Sequence, residues 1–250
     1  MTRRCWLGGA GAAGVALLRA EERPVDPVVR RAREFLAGMI DADLDLLPEF
    51  RGATTYWLYH DNYLAAAVLK SSHPAISSRI SAAIRRYGVT ESGKIEIVLG
   101  EAKDPLPFRR YELVEVKREG AKLIKTEVVR PEVFRGWEPY ADLLLLAAMA
   151  EKDKSAAARH FEAARRMWDE HGFADAVVPV AKRYATYKLA LALIAARRRQ
   201  FDLPEAAAIR ERLLARQHGD GGFITDYQAD GKSVGFANVE TTSLCLLALE

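Results

Sequence analysis

The sequence predicts a mainly α fold, a ring of about four helical hairpins in which outer amphipathic helices alternate with inner apolar ones, carrying a small antiparallel β insertion. Three observations predict it. Four alanine-rich apolar runs, HDNYLAAAVL from His60, PYADLLLLAAMA from Pro139, KRYATYKLALALIAA from Lys182 and NVETTSLCLLAL from Asn238, each open on a polar or aromatic cluster. Segments between them carry apolar residues at helical spacing on one face and charges on the other. Between residues 94 and 130 the period changes from helical to alternating.

Residues 1–20 read as a targeting peptide. Thr2-Arg3-Arg4-Cys5-Trp6-Leu7 leads an uncharged Gly/Ala-rich run to Leu18, then Arg19-Ala20, which is a basic start, a short apolar stretch and a small-residue exit. The run is too short to span a bilayer. The paired arginines resemble the bacterial twin-arginine export signal, with Trp6 where that pattern commonly has Phe, and this resemblance implies a secreted protein, periplasmic or extracellular. Cleavage near Ala20 leaves 34 basic against 34 acidic side chains. That balance argues against a nucleic-acid or anionic-membrane partner, and no integral membrane segment is expected in the mature chain. Only Cys5 and Cys245 are present; Cys245, among leucines, reads as a small buried hydrophobe, and thiolate zinc sites are excluded.

The domain is expected over residues 24–250. From Val28 to Ile40 an outer helix places Val28, Ala32, Phe35, Leu36 and Met39 on one face. Asp41, Asp43 and Asp45 lack the glycine and closing glutamate of a calcium loop and read as a solvated turn. Tyr56 to Tyr63 is the densest aromatic and polar cluster. Asp61 or Asn62 there is placed to cap the helix that follows, or to contact a ring-shaped ligand gripped by the aromatics, or both. Ile76–Tyr87 is the outer partner of that hairpin. In the β insertion, Ile95, Ile97 and Leu99 alternate with Glu96 and Val98, Tyr111 to Val116 alternates, and a turn at Glu119-Gly120 leads into Lys122–Val129. The insertion either walls a cleft or merely decorates a tolerant loop.

Asp142 stands in the first turn of an all-apolar helix, where the helix dipole favours a carboxylate. Residues 154–171 form its amphipathic partner. Tyr184, Thr186, Tyr187 and Lys188 open the next inner helix, which ends in Arg197, Arg198 and Arg199, cations suited to a helix C-terminus. Pro204 fits the first position of the following outer helix. Stacked as hairpins about one axis, the inner helices would bring Asp61, Asp142, Tyr184, Tyr187, Asn238 and Glu240 to a common mouth.

Gln217-His218-Gly219-Asp220-Gly221-Gly222-Phe223 is similar to the Gln-x-x-Asp-Gly-x-Trp/Phe motif of the α/α toroid superfamily. That superfamily takes in the terpenoid cyclases, protein prenyltransferase β subunits, complement-type thioester domains and six-hairpin glycosidase-like enzymes. The resemblance implies structural roles for Gln217, Asp220 and Phe223, which hold helix ends together, and it makes Asn238-Val-Glu240-Thr-Thr242 an inner-helix opening. The cyclase acid motif, the prenyltransferase zinc set and the thioester Cys-Gly-Glu-Gln are all missing, and about eight helices stand where the six-hairpin ring has twelve.

By subtraction the nearest class is carbohydrate-active: a glycoside hydrolase or polysaccharide lyase drawing its acid and base from Asp61, Asp142 and Glu240. His60, Asn62, Tyr63, Tyr184, Tyr187, Lys188 and Asn238 would bind the substrate, a carbohydrate or other small polar ligand. Hydrolysis needs one protonated carboxyl and a second carboxylate, about 5–5.5 Å apart for retention and 6.5–9.5 Å for inversion. A lyase would use a Tyr or His base and a cation such as Lys188 or Arg183. The alternative is a non-catalytic glycan- or protein-binding scaffold using the same mouth. No cofactor is implied, and Asp226, Asp230 and His218 match no metal-ligand spacing.

Overall fold

The computed structural model describes residues 26–90 and 94–250; the targeting-peptide reading of residues 1–20, with Cys5, lies outside them. Helix α1 (Pro27–Ala37) starts as its sequence dictates, with Asp26 accepting a hydrogen bond from the Val28 N–H at 2.8 Å and proline in the first turn. It buries Val29, Ala32, Phe35 and Leu36. Strand β1 (Thr55–Trp57) leads into α2 (His60–Leu69), and α3 (Pro74–Arg86) packs back against α2. After the short α4 (Ile95–Leu99), strands β2 (Arg109–Glu119) and β3 (Lys122–Val133) form the long hairpin that the alternation predicts, turning at Gly120 with φ 58°.

The second half alternates as expected between apolar and amphipathic helices: α5 (Ala141–Ala150) against α6 (Lys154–Arg165), then the single turn α7 (Val178–Ala181), strand β4 (Tyr184–Ala185), and α8 (Thr186–Arg199) against α9 (Ala206–Leu214). Strands β5 (Phe223–Tyr227) and β6 (Ser233–Asn238) precede α10 (Val239–Leu249). Helix α2 packs on α10, α10 on α8 and α8 on α5, while α4 touches both α5 and α2. These apolar helices supply most of the core, including Leu64, Leu145, Leu189, Cys245 and Leu246.

The fold class is a correction to the sequence reading. With 45% helix and 19% strand the chain is a mixture of α and β, not a mainly α toroid with one insertion. One three-stranded sheet runs β1-β3-β2, β1 parallel to β3 and β2 antiparallel to it; the other runs β4-β5-β6, all antiparallel. The physical reason lies in the polar clusters ahead of the apolar helices. Ahead of three of them the chain is extended and pairs with a neighbouring strand: β1 before α2, β4 before α8 and β6 before α10.

Two local expectations change as well. Residues 95–99 form a helical turn, not the first strand of the insertion, because Ile95, Glu96, Ile97 and Val98 are all buried and Gly100 stops the turn in the left-handed conformation, φ 77°. Neither Asp61 nor Asn62 caps α2, which begins one residue earlier, at His60, with no side-chain cap.

The Gln217–Phe223 segment ties the chain's ends together. The Gln217 amide donates to the Val28 and Gly221 carbonyls, each at 2.9 Å, and accepts from Arg31; the Phe223 N–H donates to Thr242 Oγ1 at 2.9 Å. Gly221 has φ 99°, and a Cβ there would overlap the Arg31 carbonyl oxygen. Gly221→Ala is therefore expected to destabilise the fold by about 1–3 kcal/mol from backbone strain alone. Gly219→Ala, with open space around it, should leave the urea midpoint unchanged.

Candidate functional site

The first turns of α2, α5, α8 and α10 meet at one cavity. Its volume is about 210 Å³; His60, Asp142, Tyr187 and Glu240 line it with Lys94, above apolar walls that include Leu146, Leu191 and Leu244. A second, outer chamber of about 410 Å³ shares Lys94, Asp142 and Leu143 with it and is completed by Phe108, Arg109, Arg110, Tyr111 and Phe134, contributed by and beside the β2–β3 hairpin. The hairpin thus walls a cleft. Together the chambers reach the size of ordinary ligand sites, about 300–1,000 Å³.

Burial governs the acid chemistry here. Glu240 is raised from 4.5 to about 7, first by burial, which Lys94 opposes, and further by Glu127, Asp142 and Glu49. Asp61, 1% exposed, is pushed well above the carboxylate range by burial and then by Glu240, Glu49 and Glu127; its Oδ2 is buried with no hydrogen-bond partner. Burial raises Glu49 and Glu127 too, against the pull of Lys125 and Lys94 respectively. His60 goes the other way, down to about 3, because burial and then Lys94 disfavour the imidazolium. Its Nδ1 lies 3.1 Å from Glu127 Oε1 without hydrogen-bond geometry, so at neutral pH this is an uncharged imidazole beside an acid, not an ion pair.

Asp142 is held by the Tyr187 hydroxyl, which donates to it at 2.9 Å. That hydroxyl is held protonated by its own burial and by Asp142. The arrangement can therefore present to one ligand a carboxyl whose proton is favoured by burial, Glu240, and a second carboxyl oriented by the Tyr187 hydroxyl, Asp142.

Of the other residues singled out from sequence, several are structural. Asn62 is fully buried and pins a loop: its Oδ1 accepts from the Leu47 N–H at 2.7 Å, and its Nδ2 donates to the Leu47 and Trp57 carbonyls. Asn238 caps α10, accepting from the Thr241 N–H at 2.8 Å. Tyr184 donates to Asp169 at 2.6 Å and stacks on Tyr227. Lys188 is buried in an ion pair with Asp175. Tyr63 stacks on Tyr59 and donates to Glu101, facing a neighbouring pocket rather than the shared cavity. None of these five residues lines the cavity that the first turns share.

Sequence reasoning missed Lys94, Glu49 and Glu127 and the outer aromatics Phe108, Tyr111 and Phe134. Glu127 alternates with Ile124 and Thr126 across β3, a pattern that ordinarily marks a solvent-facing charge; here that side chain lies 3.1 Å from His60 of α2.

Among the described residues, no group of three or more His, Cys, Asp or Glu side chains is arranged to hold a metal ion. Asp226 faces Arg183 at 3.6 Å, His218 faces Asp220 at 2.9 Å, and Asp230 accepts from the Lys232 N–H within the β5–β6 turn. The three aspartates of the early turn are likewise engaged, Asp41 and Asp43 by Lys122 and Asp45 by Arg79. No described helix is long and apolar enough to cross a membrane. No protein-family model, curated protein or solved structure matches the chain.

Proposed function

We propose that the protein is an exported carbohydrate-active enzyme, a glycoside hydrolase in which Glu240 protonates the leaving oxygen and Asp142 is the second carboxylate. The observation that carries this reading is the Glu240 carboxyl, protonated up to about pH 7, in the same cavity as Asp142. Glycoside hydrolysis requires that division of labour between two carboxyl groups. Tyr187 orients Asp142 through its hydroxyl, and Asp61, which keeps its own proton, adds no charge to oppose the departing group. The aromatic faces of Tyr111, Phe108 and Phe134 suit the flat side of a sugar ring. The two cations that the sequence offered for elimination are engaged elsewhere, Lys188 with Asp175 and Arg183 with Asp226. Export is supported by the twin arginines and the Gly/Ala-rich run that follows them.

Reducing-end release from a panel of polysaccharides and aryl glycosides, with Asp142→Asn alongside, tests the reading. Turnover by the native chain is expected, with a loss of about 10²-fold or more in the variant. Glycan binding without any turnover would make the chain a binding module, and turnover untouched by Asp142→Asn would remove the mechanism.

A further inference from the structure

We propose that the substrate is an anionic glycan, and that its carboxylate or sulfate seats in the outer chamber against Arg110 and Arg109. The inference rests on the glycoside hydrolase reading of the same site and names its substrate class. The two chambers differ in the charges that line them. The inner one is lined by the carboxyls of Glu240 and Asp142 with Lys94, and its acids are raised first by burial and then by one another and by Glu127 and Glu49. An anionic group placed there would have carboxyls as its polar neighbours, with Lys94 already engaged by Glu127.

Among the described residues that line the outer chamber, Asp142 alone is acidic, at its junction with the inner one, against Lys94, Arg109 and Arg110. The three cations are not equivalent. Lys94 is engaged, 3.6 Å from Glu127 and 4.4 Å from the centre of the Tyr111 ring. Arg109 donates to the Pro131 carbonyl, a neutral group that leaves its charge uncompensated, and it also borders the neighbouring pocket that holds Glu96 and Glu101. Arg110 is exposed, and its side chain has no hydrogen-bond or ion-pair partner among the described residues.

A guanidinium offers a planar fork that matches a carboxylate or a sulfate with two parallel hydrogen bonds. Phe108, Tyr111 and Phe134 line the same chamber, so the ring that bears the anion finds apolar faces beside the cations. The anion would thus fix the direction in which the glycan enters, with the bond to be cleaved towards Glu240 and Asp142.

Matched aryl glycosides test this: glucuronide against glucoside, galacturonide against galactoside, and a 6-sulfated glucoside as the second anion source. The native chain should favour an anionic member of each comparison by about tenfold or more in kcat/KM. Arg110→Ala should raise KM for that member by about tenfold with kcat held, and leave the neutral glycoside unchanged; Arg110→Lys should recover part of the loss. Preference for uronide over sulfate, or the reverse, identifies the source of the anion within the class. Cleavage of neutral glycosides with the anionic ones ignored, or equal losses for both in Arg110→Ala, overturns the substrate class while the hydrolase reading stands. If no glycoside is cleaved, titration calorimetry with millimolar glucuronate and glucose 6-sulfate decides: binding abolished in Arg110→Ala upholds the anionic ligand and sinks hydrolysis, and absent binding overturns the inference.

Discussion

A Glu240→Gln protein is expected to lose nearly all turnover and, above pH 7, to be more stable than the native chain. The two effects have one origin. Glu240 titrates near 4.5 in an unfolded chain and near 7 in place. Between those values the native state binds a proton that the unfolded state has released, so the contribution to stability is fully present below about pH 4.5 and falls as pH rises through 7. The displacement corresponds to at most about 3 kcal/mol, shared with Asp61 because the two carboxyls influence each other's titration. A glutamine cannot ionise. The variant's melting temperature should therefore exceed the native value at pH 8 by several degrees and converge with it towards pH 4.5. Its kcat should fall by about 10²–10⁴-fold, the usual contribution of a positioned general acid. In the native chain kcat should decline as pH rises past about 7, where Glu240 loses its proton. Unchanged kcat in Glu240→Gln would remove the general acid, and a stability advantage over the native chain no larger at pH 8 than at pH 5 would remove the buried-charge account.

The amphipathic helices are legible because their period is long and their caps are conventional: Asp26 before α1 and Asp153 before α6 each accept the backbone hydrogen bond expected of them. The β2–β3 hairpin is legible for the corresponding reason, sustained alternation either side of Gly120. Residues 95–99 defeat the same logic, since Ile-Glu-Ile-Val-Leu is too short to separate one buried helical turn from a strand. Strands of two or three residues, β1 and β4, have no period to read; they exist because β3 and β5 lie alongside. That pairing is long-range, and its omission is what turned an α and β mixture into a mainly α expectation.

The candidate site divides in the same way. His60, Asp142, Tyr187 and Glu240 could be found because first-turn positions of packed helices tend to share an end. Lys94 and Glu127 arrive from a loop and a hairpin strand, and no local pattern aims them there.

The Lys188→Met substitution is expected to unfold the protein far more readily without acting as a ligand-binding defect. Lys188 and Asp175 are each 4% exposed and form an ion pair. Asp175 also accepts from the Ala141 N–H at 3.0 Å and the Val177 N–H at 3.1 Å, so its carboxylate secures the start of α5. Removing the ammonium strands a buried carboxylate with two neutral donors, a loss of about 3–5 kcal/mol. Two successive residues of α8 thereby set the cavity end of α5: Lys188 through Asp175, and Tyr187 through Asp142 itself. A substrate-binding lysine would show the opposite pattern, a raised KM at unchanged urea midpoint. Here the midpoint should drop sharply while KM of the remaining folded fraction stays close to native. Lys188→Met with Asp175→Asn should recover part of the stability, because the amide oxygen still accepts a backbone hydrogen bond and no charge is left buried. If Lys188→Met keeps its stability and loses affinity instead, the amine belongs to the ligand, and the start of α5 is held by something other than this pair.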